Sequence, residues 1–531
     1  MYTMDAARRW ADAVAIAEGR IVAVGLERDV HELAGPATEV RRLSGGLVLP
    51  GFQDAHVHPA FGGRNLLRVH LDDLTTVESY LDEIARYASA HPDEPWITGG
   101  GWAMYRFPGG KPRKEDLDRI VPARPVFLMN RDVHGAWVNS RALELAGIAR
   151  DTPDPWDGHI DRDPATGEAT GALDEGAAYA FQDRLVPPTR PGEWREALLL
   201  AQRHLHALGI TGWQDAWVEP DLLRAYLALH DAGELTMRVS TALWWDRHHG
   251  LEQVDELIER GRSATRDGVR ATVVKIMVDG VVENCTGALL RPYDDPDGYP
   301  PGHLGLSYVD AETLREAVTR LDASGFQVHM HAIGDRAVRD ALDAVEAARS
   351  ATGWSDRRHH VAHLQVVHPD DVRRFRALGV VANLQPLWAC SDPQMTELTL
   401  PRLGTERIGW QYPFADLARA GAVLAGGSDW PVSSPDPLAE MEVAIRRVEP
   451  GSRDEEPFLP EQRLTLPQAL AAFTIGAAYV NHDEREAGSI EVGKRADLAV
   501  LDRDPFDRDA GQLSEAKVVL TLAAGRVVHE L

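Results

Sequence analysis

Two histidines one residue apart, His56 and His58, close a mostly apolar run, Leu49-Pro50-Gly51-Phe52-Gln53-Asp54-Ala55-His56-Val57-His58-Pro59. Alternate side chains of a β-strand share a face, so a strand ending in His-x-His aims both imidazoles at one point, where they can hold a metal ion together. Alone, the pattern also describes one buried and one exposed histidine that never meet a metal. Four later segments read as short apolar strands that carry or end on a side chain with similar chemistry. They are 271–280 with Lys275, 326–335 with His329 and His331, 360–365 with His363, and 423–431 with Asp429. Apolar runs that stop at polar, Gly or Pro residues have the character of buried parallel strands.

In this order the set resembles the amidohydrolase superfamily of metal-dependent hydrolases, and more narrowly its YtcJ-like branch, which includes N-substituted formamide deformylases. The marks of that branch are His331-Ala332-Ile333-Gly334-Asp335-Arg336-Ala337, Arg131-Asp132-Val133-His134-Gly135-Ala136-Trp137-Val138-Asn139-Ser140 and Gly427-Ser428-Asp429-Trp430-Pro431. The likeness runs nearly end to end. It implies an α/β fold, a (β/α)8 TIM barrel whose successive strands supply His56, His58, Lys275, His331, His363 and Asp429 as metal ligands. One departure stands at the start: relatives open with a β-strand before the stretch matching Tyr2-Thr3-Met4-Asp5, where this sequence begins. Either the start lies upstream or the N-terminal sheet lacks an edge strand.

Lysine is the unusual member of the set, because an ammonium cannot bind a cation. If Lys275 faces the barrel interior with Val273 and Met277, desolvation favours its neutral amine, which reacts with carbon dioxide to give a carbamate. The strand alone also allows a plain ion pair between Lys275 and Asp279. With the resemblance, carboxylated Lys275 and a hydroxide bridge two divalent ions, one on His56, His58 and Asp429, the other on His331 and His363. Imidazole and carboxylate ligands suit Zn2+ and admit Mn2+, Fe2+ or Ni2+. Metal-bound water has a pKa near ~7, so hydroxide is present at neutral pH; Asp429 takes its proton and passes it to the leaving nitrogen. The implied reaction is hydrolysis of a C–N bond in an amide or N-substituted formamide. Two readings compete with it: a mononuclear deaminase of an amino-heterocycle with unmodified Lys275, and a non-catalytic binding protein on a degenerate barrel, which retention of all six side chains opposes.

The resemblance places His134 near the substrate carbonyl, while the residues alone equally allow a loop-stapling hydrogen bond. His329 shares a face with His331 one layer deeper, as a supporting or core residue. His159, His248, His249, His359, His360 and His368 have structural or surface roles. Fourteen tryptophans is high usage, and Trp102, Tyr105, Phe107, Trp137, Trp217, Trp244, Trp245, Trp388 and Trp430 fall near expected rim segments. They either line a pocket for a partly apolar ligand or pack an insertion on the barrel.

These side chains need a scaffold that brings strand ends together. After the first strand, further strands are expected at 209–215, 237–245, 271–278, 327–331, 361–364, 380–385 and 423–428, which makes the set of a closed barrel, with amphipathic helices such as 311–323 and 335–348 between them. The barrel spans 50–485, and a Gly-, Pro- and Trp-rich stretch, about 60–190, forms an inserted rim subdomain. Alternating strands at 1–49 and 486–531 combine into a small β-sandwich domain from both chain ends. The loop 291–302 follows the lysine strand and is either a lid or a surface excursion.

The 531 residues can be absorbed largely by one such barrel, and 44% hydrophobic content is ample for its core. Two cysteines exclude a disulfide framework and a thiolate metal cage. A net charge of -26 disfavours nucleic acid and anionic membrane as partners. No long apolar run or basic-then-apolar leader is found, so a cytoplasmic protein acting on a small-molecule amide is expected. The resemblance leaves a homo-oligomer open.

Overall fold

The computed structural model describes residues 1–43, 45–296, 299–507 and 512–531. Eight parallel strands follow one another around a single sheet in chain order. They are β1 (Phe52–Val57), β2 (Ile210–Val218), β3 (Arg238–Trp244), β4 (Val269–Met277), β5 (Gln327–Ala332), β6 (His360–His363), β7 (Val381–Leu384) and β8 (Leu424–Gly426). The two ends of the sheet meet just past β8, where the Asp429 N–H donates to His56 O at 2.7 Å and the His58 N–H to Trp430 O at 2.8 Å. That closure turns the sheet into a barrel and sets Asp429 beside the His-x-His pair. Strands β1, β5, β6 and β7 are buried at every residue, which is why they read as apolar runs rather than as alternating patterns.

Helices α1 (Pro220–Asp231), α2 (Gln253–Ala264), α3 (Ala311–Ala323), α4 (Asp335–Thr352), α5 (Pro369–Leu378) and α6 (Phe414–Arg419) follow β2 to β7 in turn. In α3 the Asp310 carboxylate accepts the N–H groups of Glu312 and Thr313 at the N-terminus, and Leu314, Ala317, Val318 and Leu321 face the barrel at three- and four-residue steps. Its bounds match the sequence expectation, whereas α4 continues past Ala348 to Thr352.

Between β1 and β2 the chain builds a second sheet of six strands, in the order Val69–His70, Ile97–Trp102, Val126–Asn130, Gly135–Val138, Ala169–Glu175, Gly158–Arg162. At the opposite end, Leu47–Pro50 pairs antiparallel with Leu498–Leu501, next to Val518–Ala523 and Arg526–Glu530. The hairpin of Ala13–Ala17 and Arg20–Gly25 covers this small sheet, packing Val14, Ile21 and Val24 with Val48, Leu498, Val500 and Leu520. Tyr2 N donates to Val48 O at 3.0 Å, so the first residues lie against the same sheet.

Of the loop 291–302, residues 297 and 298 lie outside the described residues. The described part is pinned: Arg407 donates to Arg291 O and Pro292 O, and the buried Tyr293 hydroxyl donates to Gly287 O at 2.7 Å. Among the described residues no helix is long and apolar enough to cross a membrane.

Candidate metal centre

The C-terminal ends of β1, β4, β5, β6 and β8 bring the expected side chains to one mouth of the barrel. Ring nitrogens of His56 and His58 and a carboxylate oxygen of Asp429 all lie within 4.8 Å of one another, and all three residues are buried. Both Nε2 atoms face Asp429 Oδ1, at 3.1 Å from His56 and 2.9 Å from His58. By strict hydrogen-bond geometry Asp429 Oδ1 nevertheless has no partner among the described residues. An unsatisfied buried carboxylate oxygen is costly unless something else, such as a cation, meets it.

His363 stands on the other side of the carboxylate, its Nδ1 3.8 Å from Asp429 Oδ2, and its ring is 4.4 Å from that of His331 and 4.7 Å from that of His56. Strand alternation does not explain how both ends of β6 point inward. His360 packs on His329 in the layer below, three residues earlier, and the odd spacing is absorbed by positive φ at His363 (78°) and Leu364 (53°). Such backbone angles are unfavourable for residues other than glycine and concentrate at functional sites. The indole of Trp388 lies parallel to the His363 ring at 5.1 Å and restrains it.

Burial dominates the electrostatics. It lowers the pKa of His56 to about 3, with Lys275 adding to the effect, and pushes His331 and His363 well below the ordinary imidazole value. These rings are therefore neutral and keep a lone pair for a cation. Burial alone would raise the pKa of Asp429, but His56 and His58 override it and hold the carboxyl well below its usual range. Lys275 is 3% exposed, and burial lowers its pKa to about 7 against the pull of Asp429. Among the described residues no carboxylate forms an ion pair with it. Asp279, the partner considered from sequence, instead accepts backbone N–H groups from Ala288 and Gly334 at 2.8 Å and from Ile333 at 3.0 Å. Lys275 is thus a buried amine whose neutral form is favoured by burial, and the neutral amine is the form to which carbon dioxide can add.

Two further buried groups support this constellation: Asp54, which no sequence pattern singled out, and His329, expected as a supporting or core residue. Asp54 accepts the His56 N–H at 3.0 Å and the Ser428 hydroxyl at 2.6 Å, tying β1 to the turn after β8. His329 Nε2 is 2.9 Å from His56 Nδ1, so the deeper histidine orients the His56 ring and directs its Nε2 outward.

A cavity of about 310 Å³ opens over the centre, with His134, His331, His363 and Asp429 at its base and Met104, Tyr105, Trp388 and Met395 among its walls. His134, from the six-stranded insertion, lies 5.5 Å from His331 ring to ring, and its Nδ1 is 3.0 Å from both oxygens of Glu175. Burial lowers the His134 pKa, but Glu175 and Asp132 outweigh it and the net direction is upward. Of the nine aromatics singled out in the sequence, Tyr105 and Trp388 line the cavity. Trp102, Phe107 and Trp137 pack on one another inside the insertion, Trp217 stacks on Trp244 at 3.7 Å, Trp430 stacks on His204, and Trp245 is buried in the barrel core. Most of that aromatic content is therefore packing.

The profile of the Amidohydrolase family matches residues 39–529. The chain is 31% identical to the putative amidohydrolase YtcJ of Bacillus subtilis, covering 100% of this chain and 98% of that protein. It is 29% identical to an N-substituted formamide deformylase of Arthrobacter pascens, covering 99% and 96%. Its fold is similar to that of an uncharacterised metal-dependent hydrolase of Pyrococcus horikoshii, with a TM-score of 0.74, 26% identity, and coverage of 96% and 97%.

Proposed function

Since the chain belongs to the amidohydrolase family, we propose that it is a metal-dependent hydrolase that cleaves the C–N bond of an N-substituted formamide or related amide. The observation that carries this reading is the convergence of the buried His56 and His58 rings on the Asp429 carboxylate, beside a buried lysine that pairs with no carboxylate among the described residues. His56, His58 and Asp429 would hold one divalent ion, His331 and His363 a second, with Lys275 as a carbamate between them. Zn2+ suits this donor set. Such ions polarise a carbonyl oxygen and lower the pKa of water to about 7. Asp429 Oδ1 faces the histidine nitrogens, which leaves Oδ2 to accept the proton of the attacking water and return it to the leaving nitrogen. His134 meets the substrate carbonyl from the insertion side, and Met104, Tyr105, Trp388 and Met395 accommodate an apolar nitrogen substituent. The likeness to a formamide deformylase supports formamides over other amides.

Purified protein should contain close to two divalent ions per chain and an added carbon dioxide mass on Lys275. A panel of N-formyl compounds, acyl amides, cyclic ureas and amino-heterocycles should yield amine and formate from the first group. Asp429→Asn should abolish turnover while leaving the fold intact. Fewer than one ion per chain after supplementation would sink the proposal. One observation favours a second reading: the three-residue group is complete without Lys275, and His331 Nε2 is already 3.1 Å from Gly280 O. One ion per chain with unmodified lysine, and ammonia from the amino-heterocycles, would select that mononuclear deaminase.

A further inference from the structure

Glu175 ends the strand Ala169–Glu175 with φ 52° and ψ -126°. That backbone conformation costs a residue with a side chain on the order of 1–3 kcal/mol, and it persists only where the surroundings impose it. The surroundings do so here. The side chain is fully buried; its two oxygens lie 3.0 Å from His134 Nδ1, and Oε1 also accepts the Thr286 hydroxyl at 2.8 Å. The Glu175 N–H donates to His134 O at 2.8 Å, so backbone and side chain grip the same residue. Space for the carboxylate exists because position 280 is glycine: a Cβ there would collide with the Thr286 hydroxyl and the Glu175 carboxylate. The insertion supplies the histidine and the acid, and the barrel loop after β4 supplies the brace.

We propose that Glu175 is the positioning residue of the site, fixing the orientation and tautomer of the His134 ring so that Nδ1–H points to Glu175 and Nε2 addresses the substrate. The reason is chemical. An ionised carboxylate only accepts, so the ring proton must sit on Nδ1. Nε2 makes no hydrogen bond among the described residues, and His134 lines the cavity beside His331. Nearby Arg247, buried against Tyr179 and Tyr308, adds positive charge that favours the ionised acid. This inference rests on the reading of the cavity as the site of C–N hydrolysis, but its first test does not.

In protein labelled with 15N-histidine, the His134 signals, identified by their loss in His134→Asn, should report the Nδ1–H tautomer at alkaline pH, where the ring is neutral. Glu175→Gln should erase that preference, since an amide can accept or donate. An Nε2–H tautomer in the unmutated protein, or an unchanged tautomer in E175Q, overturns the proposal whether or not any substrate is found. On a turned-over formamide, E175Q should lower kcat by roughly 10²- to 10⁴-fold, as when the acid behind a catalytic histidine loses its charge. KM should stay within about threefold, metal content should not change, and E175Q should add little in the His134→Asn background. A purely structural ion pair would lower Tm in E175Q and leave kcat intact, and that result refutes the positioning role. Correct tautomers with no turnover of any C–N substrate would instead refute the hydrolase reading and leave this one standing.

Discussion

Lys275→Met in the metal-free protein should make the chain more stable while destroying the metal site. The lysine is 3% exposed and its pKa falls from 10.5 to about 7 through burial. A fall of that size corresponds to about 5 kcal/mol of disfavoured charge at or below neutral pH. Methionine has nearly the same length and carries no charge into the barrel, so about 3–5 kcal/mol should be recovered, the lower figure allowing for imperfect packing. The sign with pH follows from proton binding. Between about 7 and 10.5 the unfolded chain holds a proton on this lysine that the native state has lost, so the stability of the unmutated protein rises with pH across that window. The advantage of K275M should therefore be fully present below pH 7 and shrink by roughly 1.4 kcal/mol per pH unit above it. Urea unfolding with chelator, in buffer freed of carbon dioxide, at pH 6, 7, 8 and 9 reads both effects, and metal analysis of the reloaded variant should show the second ion lost. A K275M protein less stable than the unmutated one at pH 7, or a gap indifferent to pH, would refute the view that Lys275 is a charge buried for function at the expense of stability.

Other outcomes follow from the same coordinates. Asp322 is buried and accepts hydrogen bonds from His359 at 3.0 Å and Thr352 at 2.8 Å; although burial opposes it, these partners hold its pKa below the ordinary 3.8. Its contribution is present above pH 3.8 and lost as pH falls toward the depressed value, so Asp322→Asn should cost about 2 kcal/mol at neutral pH and flatten the acid-unfolding limb, with kcat unchanged. Trp388→Ala removes the ring stacked on His363 and a wall of the cavity, and should raise KM roughly tenfold through about 1.4 kcal/mol of lost contact. Leu342→Ala, fully buried on α4, should cost about 2–5 kcal/mol in denaturant unfolding without altering metal content.

The barrel was legible because its strands are covered on both faces and so read as uninterrupted apolar segments. Expected and observed bounds differ by a few residues, as at Ile210–Val218 against 209–215. The long stretch after β1 broke the strand-helix rhythm, but its six-stranded sheet was not foreseen: glycines such as Gly99, Gly100 and Gly101 dominate the strand Ile97–Trp102 and hide its alternation. The aromatic residues misled in part, since a tryptophan that fills a hydrophobic core and one that lines a cavity look identical in sequence.

The sequence by itself determined which chemistry is available. His-x-His, a lone lysine in an apolar strand, two further histidines and an aspartate are covalent facts, and their places at strand ends follow from local pattern alone. Only the tertiary structure decided which of them meet and in what state. Asp429 reaches His56 because the barrel closes between β8 and β1, and His363 turns inward because its backbone adopts a positive φ. Burial lowers the pKa of Lys275 and of His56 because the folded chain excludes water around them, and Glu175 grips His134 because an insertion strand is braced against a barrel loop. Pattern along a chain reports local conformation, whereas solvation, long-range distance and strain are properties of the packed whole.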